Sequence, residues 1–167
     1  MQSLTSSSTV VRTADVADKL NDKVQIVEPG FLRSFGGLNA FRGLIETIVA
    51  PDDNVLLRQT LSEQGEGRVL VVNGLGSRQV ALLGGNIASM AVHNGWSGCV
   101  IYGSVRDSQE LATLPLGVFA LGTCPRKSTK KGIGSRGQPV EILGVTMTPG
   151  SYLYADEDGI IVTAEMM

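Results

Sequence analysis

The sequence predicts a mixed α/β domain, and three observations predict it. Three apolar strands, Val69 to Val72, Cys99 to Tyr102 and Gly117 to Leu121, alternate with helical stretches from about Arg78 onward and from Ser108 to Thr113. That order makes a central βαβαβ unit, whose strands should pair in parallel. The last segment, Val140 to Met166, is strand-rich, with turns at Thr148-Pro149-Gly150-Ser151 and at Asp156-Glu157-Asp158-Gly159. Finally, 167 residues that are 43% hydrophobic and 18% charged are enough for one core. A chain of that size buries about 70% of its unfolded surface, so a single domain suffices.

The elements follow in order. Met1 to Arg12, rich in Ser and Thr, read as a short flexible tail, and residues 13–167 as the domain. No signal peptide or membrane span is expected in that tail, which lacks a long apolar run. Thr13 can cap a helix that carries Val16, Ala17 and Leu20 and ends at Asn21-Asp22. Val24 to Val27 is a strand stopped by Pro29-Gly30, and Gly43 to Val49 is a strand whose imperfect alternation suggests burial on both faces. Pro51-Asp52-Asp53-Asn54 opens a helix with Leu57 and Leu61 on one face, which Gly65 and Gly67 end. Val80 to Leu83 begin a helical pattern that Gly84 and Gly85 interrupt, and Asn86 caps a new helix carrying Ile87, Met90 and Ala91.

Composition narrows the function classes. A formal charge of −2 and a pI near 5.4 argue against nucleic acid or an anionic membrane as a direct partner, since both call for a basic excess. Cys99, in a buried strand, and Cys124, before Pro125, read as unpaired thiols in a reducing compartment, the cytoplasm. No CxxC or HExxH pattern accompanies the single histidine, His93, which excludes a common zinc site. Gly74-Leu75-Gly76 follows a strand, but the third glycine of a dinucleotide fingerprint would fall at Gln79, which argues against nucleotide and methyltransferase readings. Asp156 to Gly159 lacks the ligand pattern of a calcium loop and reads as an acidic hairpin turn.

Two segments carry candidate chemistry. Around Gly84, Gly85 and Asn86, a helix start with no intervening side chains lets a ligand reach unpaired backbone N–H groups, where an anion gains about 0.3–1 kcal/mol from the dipole. A helix kink with nothing bound fits the same residues. Arg106 and Asp107 follow a strand and the turn Gly103-Ser104. A guanidinium can grip a carboxylate in a fork and an adjacent carboxylate can hold a hard cation, so together they can bind a 2-oxo acid. Alternatively, Asp107 caps the helix Ser108 to Thr113 in a box with Glu110, and Arg106 is its surface partner. The basic cluster Arg126, Lys127, Lys130, Lys131 and Arg136 is either a solvated loop or an attractor for an anionic substrate or protein.

The runs ALLGGNIASMAVHNGW, VIYGSVRD, LPLGVFALGTCPRKSTKKGIG and GSYLYADEDGIIV resemble the RraA family, over Thr13 to Val162. That family includes class II 4-hydroxy-4-methyl-2-oxoglutarate aldolases and regulators of ribonuclease E. The resemblance implies a mixed-sheet β/β/α swivelling-type single domain and a ring-shaped homotrimer with sites near subunit boundaries. It implies that Gly84, Gly85, Asn86, Ile87 and Arg106 bind substrate, that Arg106 and Asp107 are catalytic, and that Asp107 holds a divalent metal, Mg²⁺ or Mn²⁺. The expected activity is aldol cleavage of 4-hydroxy-4-methyl-2-oxoglutarate to pyruvate, with oxaloacetate decarboxylation through the same enolate. The alternative is a non-catalytic protein that binds and inhibits ribonuclease E. One departure stands out: some family enzymes place an aspartate with twenty residues between it and the arginine, and Gly85 stands there in this chain.

Overall fold

The structure is a computed structural model that describes residues 10–167. Of the tail expected over residues 1–12, residues 1–9 lie outside the described residues. Four parallel strands form the centre: β3 (Phe41–Val49), β4 (Val69–Asn73), β6 (Gly98–Val105) and β7 (Gly117–Thr123). An antiparallel arm of β11 (Tyr152–Asp156), β12 (Gly159–Thr163) and β1 (Val24–Ile26) continues the sheet beyond β3, and β2 (Arg33–Ser34) closes the other edge beside β7. Two short strands attach off this path, β5 (Ala81–Leu83) to β6 and β8 (Ser135–Arg136) to β3. A separate hairpin joins β9 (Val140–Ile142) and β10 (Val145–Met147).

Alternation along the central strands builds three layers. Leu70 and Val72 of β4 face a cluster with Leu57, Leu61, Ala88, Ala91 and Leu111, which belong to the helices α2 (Val55–Leu61), α3 (Gly85–His93) and α4 (Ser108–Leu111). Val69 and Val71 face the opposite way, into a cluster with the hairpin residues Val140, Ile142, Val145 and Met147 and with Leu153, Ala155, Ile160 and Val162. The result is helices on one face of the sheet and strands on the other, the β/β/α layering implied by the resemblance. The first helix, α1 (Thr13–Leu20), packs Val16 on Tyr154 and Ile161 of the arm. No helix among the described residues is long and apolar enough to cross a membrane.

Several local expectations change. The run Val80 to Leu83 is not helical: Ala81–Leu83 is the fully buried strand β5, parallel to β6. A short apolar run fits a two-sided buried strand as well as a helix, and burial decided it. The chain therefore stays extended through Gly84, and α3 begins at Gly85 with Gly84, not Asn86, in the cap position. Thr13 likewise lies inside α1, after an Arg12 cap; the Asp156 carboxylate accepts its N–H and its hydroxyl, each at 2.7 Å. In β3, Arg42 and Leu44 are exposed between buried neighbours, so the first half of that strand is one-sided. Cys99 is buried and burial pushes its thiol up to about 12; both cysteines are free.

The basic segment after β7 is not a freely solvated loop. Asp53, fully buried just before α2, accepts hydrogen bonds from the Val55 N–H (3.1 Å), the Thr129 hydroxyl (3.1 Å), the Lys131 N–H and the Gly132 N–H (3.1 Å). The Ala81 N–H donates to the Arg126 carbonyl at 2.7 Å, lacing the same loop to β5. Arg136 departs from the loop's other cations by pairing with Glu46 and Glu63. Burial raises the Asp53 carboxyl, but the donors from Lys131, Val55, Thr129 and Gly132 outweigh it and hold the group below its ordinary value.

A depressed folded pKa means that the unfolded state binds more protons on acidification. The stabilisation is complete above the unfolded value near 3.9 and is lost as pH falls through the folded value. Asp53→Asn is expected to lower the unfolding free energy at pH 7 by about 1–3 kcal/mol in urea melts. The deficit should shrink as pH falls below about 4; a deficit independent of pH would mean that the charge is not what anchors the loop.

Candidate functional site

Parallel pairing brings the two candidate segments to one edge of the sheet. Leu83 of β5 stands opposite Val105 of β6, so the residues that follow, Gly84-Gly85 and Arg106-Asp107, leave the sheet side by side. The Arg106 N–H donates to the Leu83 carbonyl at 2.9 Å, which extends that register past the strand ends. This is the carboxyl end of parallel strands, where α/β sheets place ligands.

The contact that joins the segments is specific. The Gly85 N–H donates to Asp107 Oδ2 at 2.9 Å, so the carboxylate satisfies a first-turn amide of α3. A Cβ on Gly84 would meet Asp107 Oδ2 at 2.9 Å and Arg106 Cγ at 3.3 Å, and only glycine admits both side chains so close. Asp107 adopts a left-handed backbone, φ 56° and ψ 43°, which a non-glycine residue holds only against a steric cost. Its side chain makes no capping bond to α4. The capping-box expectation for Asp107 and Glu110 thus fails: Asp107 occupies the cap position but turns its carboxylate across to α3. No ion pair joins Arg106 to Asp107; Arg106 Nη1 donates to the Pro125 carbonyl at 3.4 Å.

Glu110 has a different place from the one its spacing suggested. A Cβ built on Gly85 would collide with Oε2 and Cδ of Glu110. The Glu110 carboxylate therefore fills the space that a side chain at position 85 would take. The departure noted at Gly85 is met by a carboxylate arriving from α4.

Gly84, Gly85, Asn86, Ile87, Arg106 and Asp107 line one cleft of about 110 Å³. Every site residue expected from sequence is in it. Asn54, Arg58, Ala81, Lys127, Ser128 and Lys130 complete the lining. The sequence had singled out Lys127 and Lys130 in the basic cluster, but nothing marked Asn54, Arg58 or Ser128. Leu57 and Leu61 identified the buried face of α2; Arg58, on its exposed side, carries no local signal of its own. Lys130 Nζ donates to Asn54 Oδ1 at 3.2 Å, and Asn54 Nδ2 donates to the Leu82 carbonyl at 3.3 Å, which ties the loop, the start of α2 and β5 around the cleft.

A metal has a limited but suitable donor set here. Among the described residues no group of three His, Cys, Asp or Glu side chains converges on a point. The ionisable oxygen donors at this edge are Asp107 and, beside Gly85, Glu110. Such all-oxygen chemistry fits Mg²⁺ or Mn²⁺, which commonly use one or two carboxylates and take their remaining ligands from substrate and water. It does not fit zinc, which prefers thiolate and imidazole.

Comparison with known proteins shows the family. The RraA-like family model, described as Aldolase/RraA, matches residues 13–162. A protein of Laribacter hongkongensis is 52% identical over 153 residues, covering 92% of this chain and 96% of its own. The 4-hydroxy-4-methyl-2-oxoglutarate aldolase of Thermus thermophilus is 44% identical over 154 residues, 92% of this chain and 93% of its own. The structure of the RNA-processing inhibitor RraA, also from Thermus thermophilus, superposes with a TM-score of 0.90 at 44% identity, over 94% of each chain. In sequence and in layering, this chain belongs to the RraA-like family.

Proposed function

We propose that this protein is a divalent-metal-dependent aldolase that cleaves 4-hydroxy-4-methyl-2-oxoglutarate to pyruvate and also decarboxylates oxaloacetate. The observation that carries the reading is the contact between the Gly85 amide and Asp107, which fixes a carboxylate in the cleft that Arg106 also lines. The aldolase relatives support the substrate, and the site supports the chemistry.

In this reading Asp107 holds Mg²⁺ or Mn²⁺. The bound cation supplies Lewis-acid polarisation of the 2-oxo group and neutralises charge that develops on its oxygen. Arg106 grips the 2-oxo acid through its planar fork and stabilises the same developing charge. With the Gly85 N–H held by Asp107, the Asn86 and Ile87 amides at the start of α3 bind the substrate's anionic end, aided by the helix dipole. When the bond between C3 and C4 breaks, the 4-hydroxyl gives up its proton, and the electron pair remains on the pyruvate half as an enolate, which a proton at C3 converts to pyruvate. Loss of carbon dioxide from oxaloacetate leaves the same enolate. Glu110, with its carboxylate over Gly85, is the protein group suited to carry that proton.

The reading includes a cytoplasmic homotrimer with the site near a subunit boundary; exposure of Asp107 and Glu110 in the single chain fits a neighbour beside them. A second reading, inhibition of ribonuclease E by surface binding, is supported by the likeness to the RNA-processing inhibitor. The relatives that bear the aldolase name, at 44–52% identity over more than nine-tenths of the chain, favour the enzyme.

Pyruvate release from both substrates is expected with Mg²⁺ and not with excess chelator, and Asp107→Ala should fall to the metal-only background. Turnover unaffected by either treatment contradicts the role of Asp107, and turnover of neither substrate supports the inhibitor. Arg106→Lys should lose about 10²-fold or more in kcat despite keeping its charge; wild-type kinetics would make the arginine structural. Glu110→Ala should lose about 10²-fold. Gly85→Asp alone drives a side chain into Glu110, whereas Gly85→Asp combined with Glu110→Ala should recover much of the loss. Full activity in Glu110→Ala would remove that carboxylate from the reaction.

A further inference from the structure

Asparagine is among the best helix caps, and Asn54 stands in the cap position of α2, yet its side chain makes no bond to the helix. Its neighbour serves that end: Asp53 Oδ1 accepts the Val55 N–H at 3.1 Å. Asn54 instead lines the cleft, at 8% exposure. There Oδ1 accepts from Lys130 Nζ at 3.2 Å and Nδ2 donates to the Leu82 carbonyl at 3.3 Å. A lysine ammonium only donates and a carbonyl only accepts, so the side chain between them must do both, and a carboxamide does.

The bond to Lys130 is not required to hold the loop. Asp53 already takes the N–H groups of Lys131 and Gly132, the Thr129 N–H and hydroxyl donate to the Asp52 carbonyl at 2.9 and 3.0 Å, and the Asn54 N–H donates to the Thr129 carbonyl at 3.4 Å. What the Asn54 side chain adds is the place of one ammonium. Lys130 is exposed, and fixing its tip costs rotamer entropy that a single bond to a neutral acceptor barely offsets, so the bond contributes little to stability. Among the described residues no acidic side chain is within ion-pair distance of Lys130. Its charge is left uncancelled in a cleft that Arg58, Arg106 and Lys127 also line. A carboxylate at position 54 would grip the ammonium more tightly, but it would neutralise it and set a negative charge against the Leu82 carbonyl.

We propose that Asn54 is a positioning residue: it holds the Lys130 ammonium at the cleft without cancelling its charge, and so raises the affinity for an anion through Lys130 rather than by contact of its own. This rests on the reading that the cleft takes a 2-oxo acid, and adds a residue that governs how tightly it is held.

Calorimetry on the Mg²⁺-loaded protein tests it as a double-mutant cycle with 2-oxoglutarate, which lacks the 4-hydroxyl that cleavage needs and stays intact. Lys130→Ala and Asn54→Ala should each weaken binding roughly 10-fold. Combined with Lys130→Ala, Asn54→Ala should cost no further affinity, because the residue through which it acts is gone. The thermal midpoint should fall with Asn54→Ala in both backgrounds, since the Leu82 bond is lost in each; a merely structural asparagine would weaken binding in both as well. Asn54→Ser, too short to reach Lys130 but still a capping residue, takes its place in the cycle where Asn54→Ala does not fold. Asn54→Asp keeps the size and the acceptor for the lysine, and should still weaken binding roughly 10-fold or more because the charge is cancelled. Wild-type affinity in Lys130→Ala or in Asn54→Asp, equal losses from Asn54→Ala with and without Lys130, or failure of the wild type to bind the probe would each overturn the positioning role. Coupling in a protein that releases no pyruvate from 4-hydroxy-4-methyl-2-oxoglutarate would contradict the aldolase reading alone, and pyruvate release without coupling would contradict the positioning role alone.

Discussion

The structure around the cleft depends on one hydrogen bond, from the Gly85 N–H to the Asp107 carboxylate. It links the start of α3 to a residue just past the end of β6, 22 positions further along the chain. It exists only because the parallel register of β5 and β6 delivers both chains to the same edge, and because position 84 has no side chain to separate them. The same bond fixes where negative charge sits: beside a helix N-terminus and next to a guanidinium, in a conformation that the Asp107 backbone adopts against steric preference. A carboxylate held this way is preorganised, so little reorganisation is required when a ligand arrives.

A second constraint works from the other side of the cleft. Asp53 gathers the backbone of the basic loop against the start of α2, and Asn54 next to it reaches both Lys130 and the β5 carbonyl of Leu82. Without these contacts, Lys127, Ser128 and Lys130 would belong to an exposed glycine-rich loop whose cations extend into water. With them, charges from α2, the end of β6 and the loop converge on one small volume. The cleft is thus assembled from four stretches of the chain, tied together by buried or half-buried polar contacts, with no metal cluster or disulfide among the described residues.

Much of this was legible in the residues. The βαβαβ order predicted the parallel sheet, but the turn expected at Gly103-Ser104 is part of β6, so of that stretch only Arg106 and Asp107 lie past the strand end. Leu57 and Leu61 marked the buried face of α2, and the glycine pair with Arg106-Asp107 marked residues that come to line one cleft. What failed did so where local pattern is ambiguous. Val80 to Leu83 suit a helix or a buried strand equally, and only pairing with β6 decides. Asn86 is a good cap by type, but the strand before it already commits Gly84 to the extended backbone, so the helix starts one residue ahead of it. The spacing of Asp107 and Glu110 matches a capping box, yet both carboxylates turn towards α3, because the contact across the sheet edge outweighs the local one. Arg58 and Ser128 carry no periodic or motif signal; their place in the cleft follows from convergence, which exists only in three dimensions.

The account turns on stabilisation of a pyruvate enolate at this edge, and that step can be watched without breaking a carbon-carbon bond. Pyruvate incubated with the protein in deuterium oxide, with Mg²⁺ present, should exchange its methyl protons for deuterium at a rate that NMR resolves above the metal-only background. The exchange should disappear when the metal is chelated. Exchange no faster than with Mg²⁺ alone would contradict the enolate chemistry and leave the cleft as a binding surface.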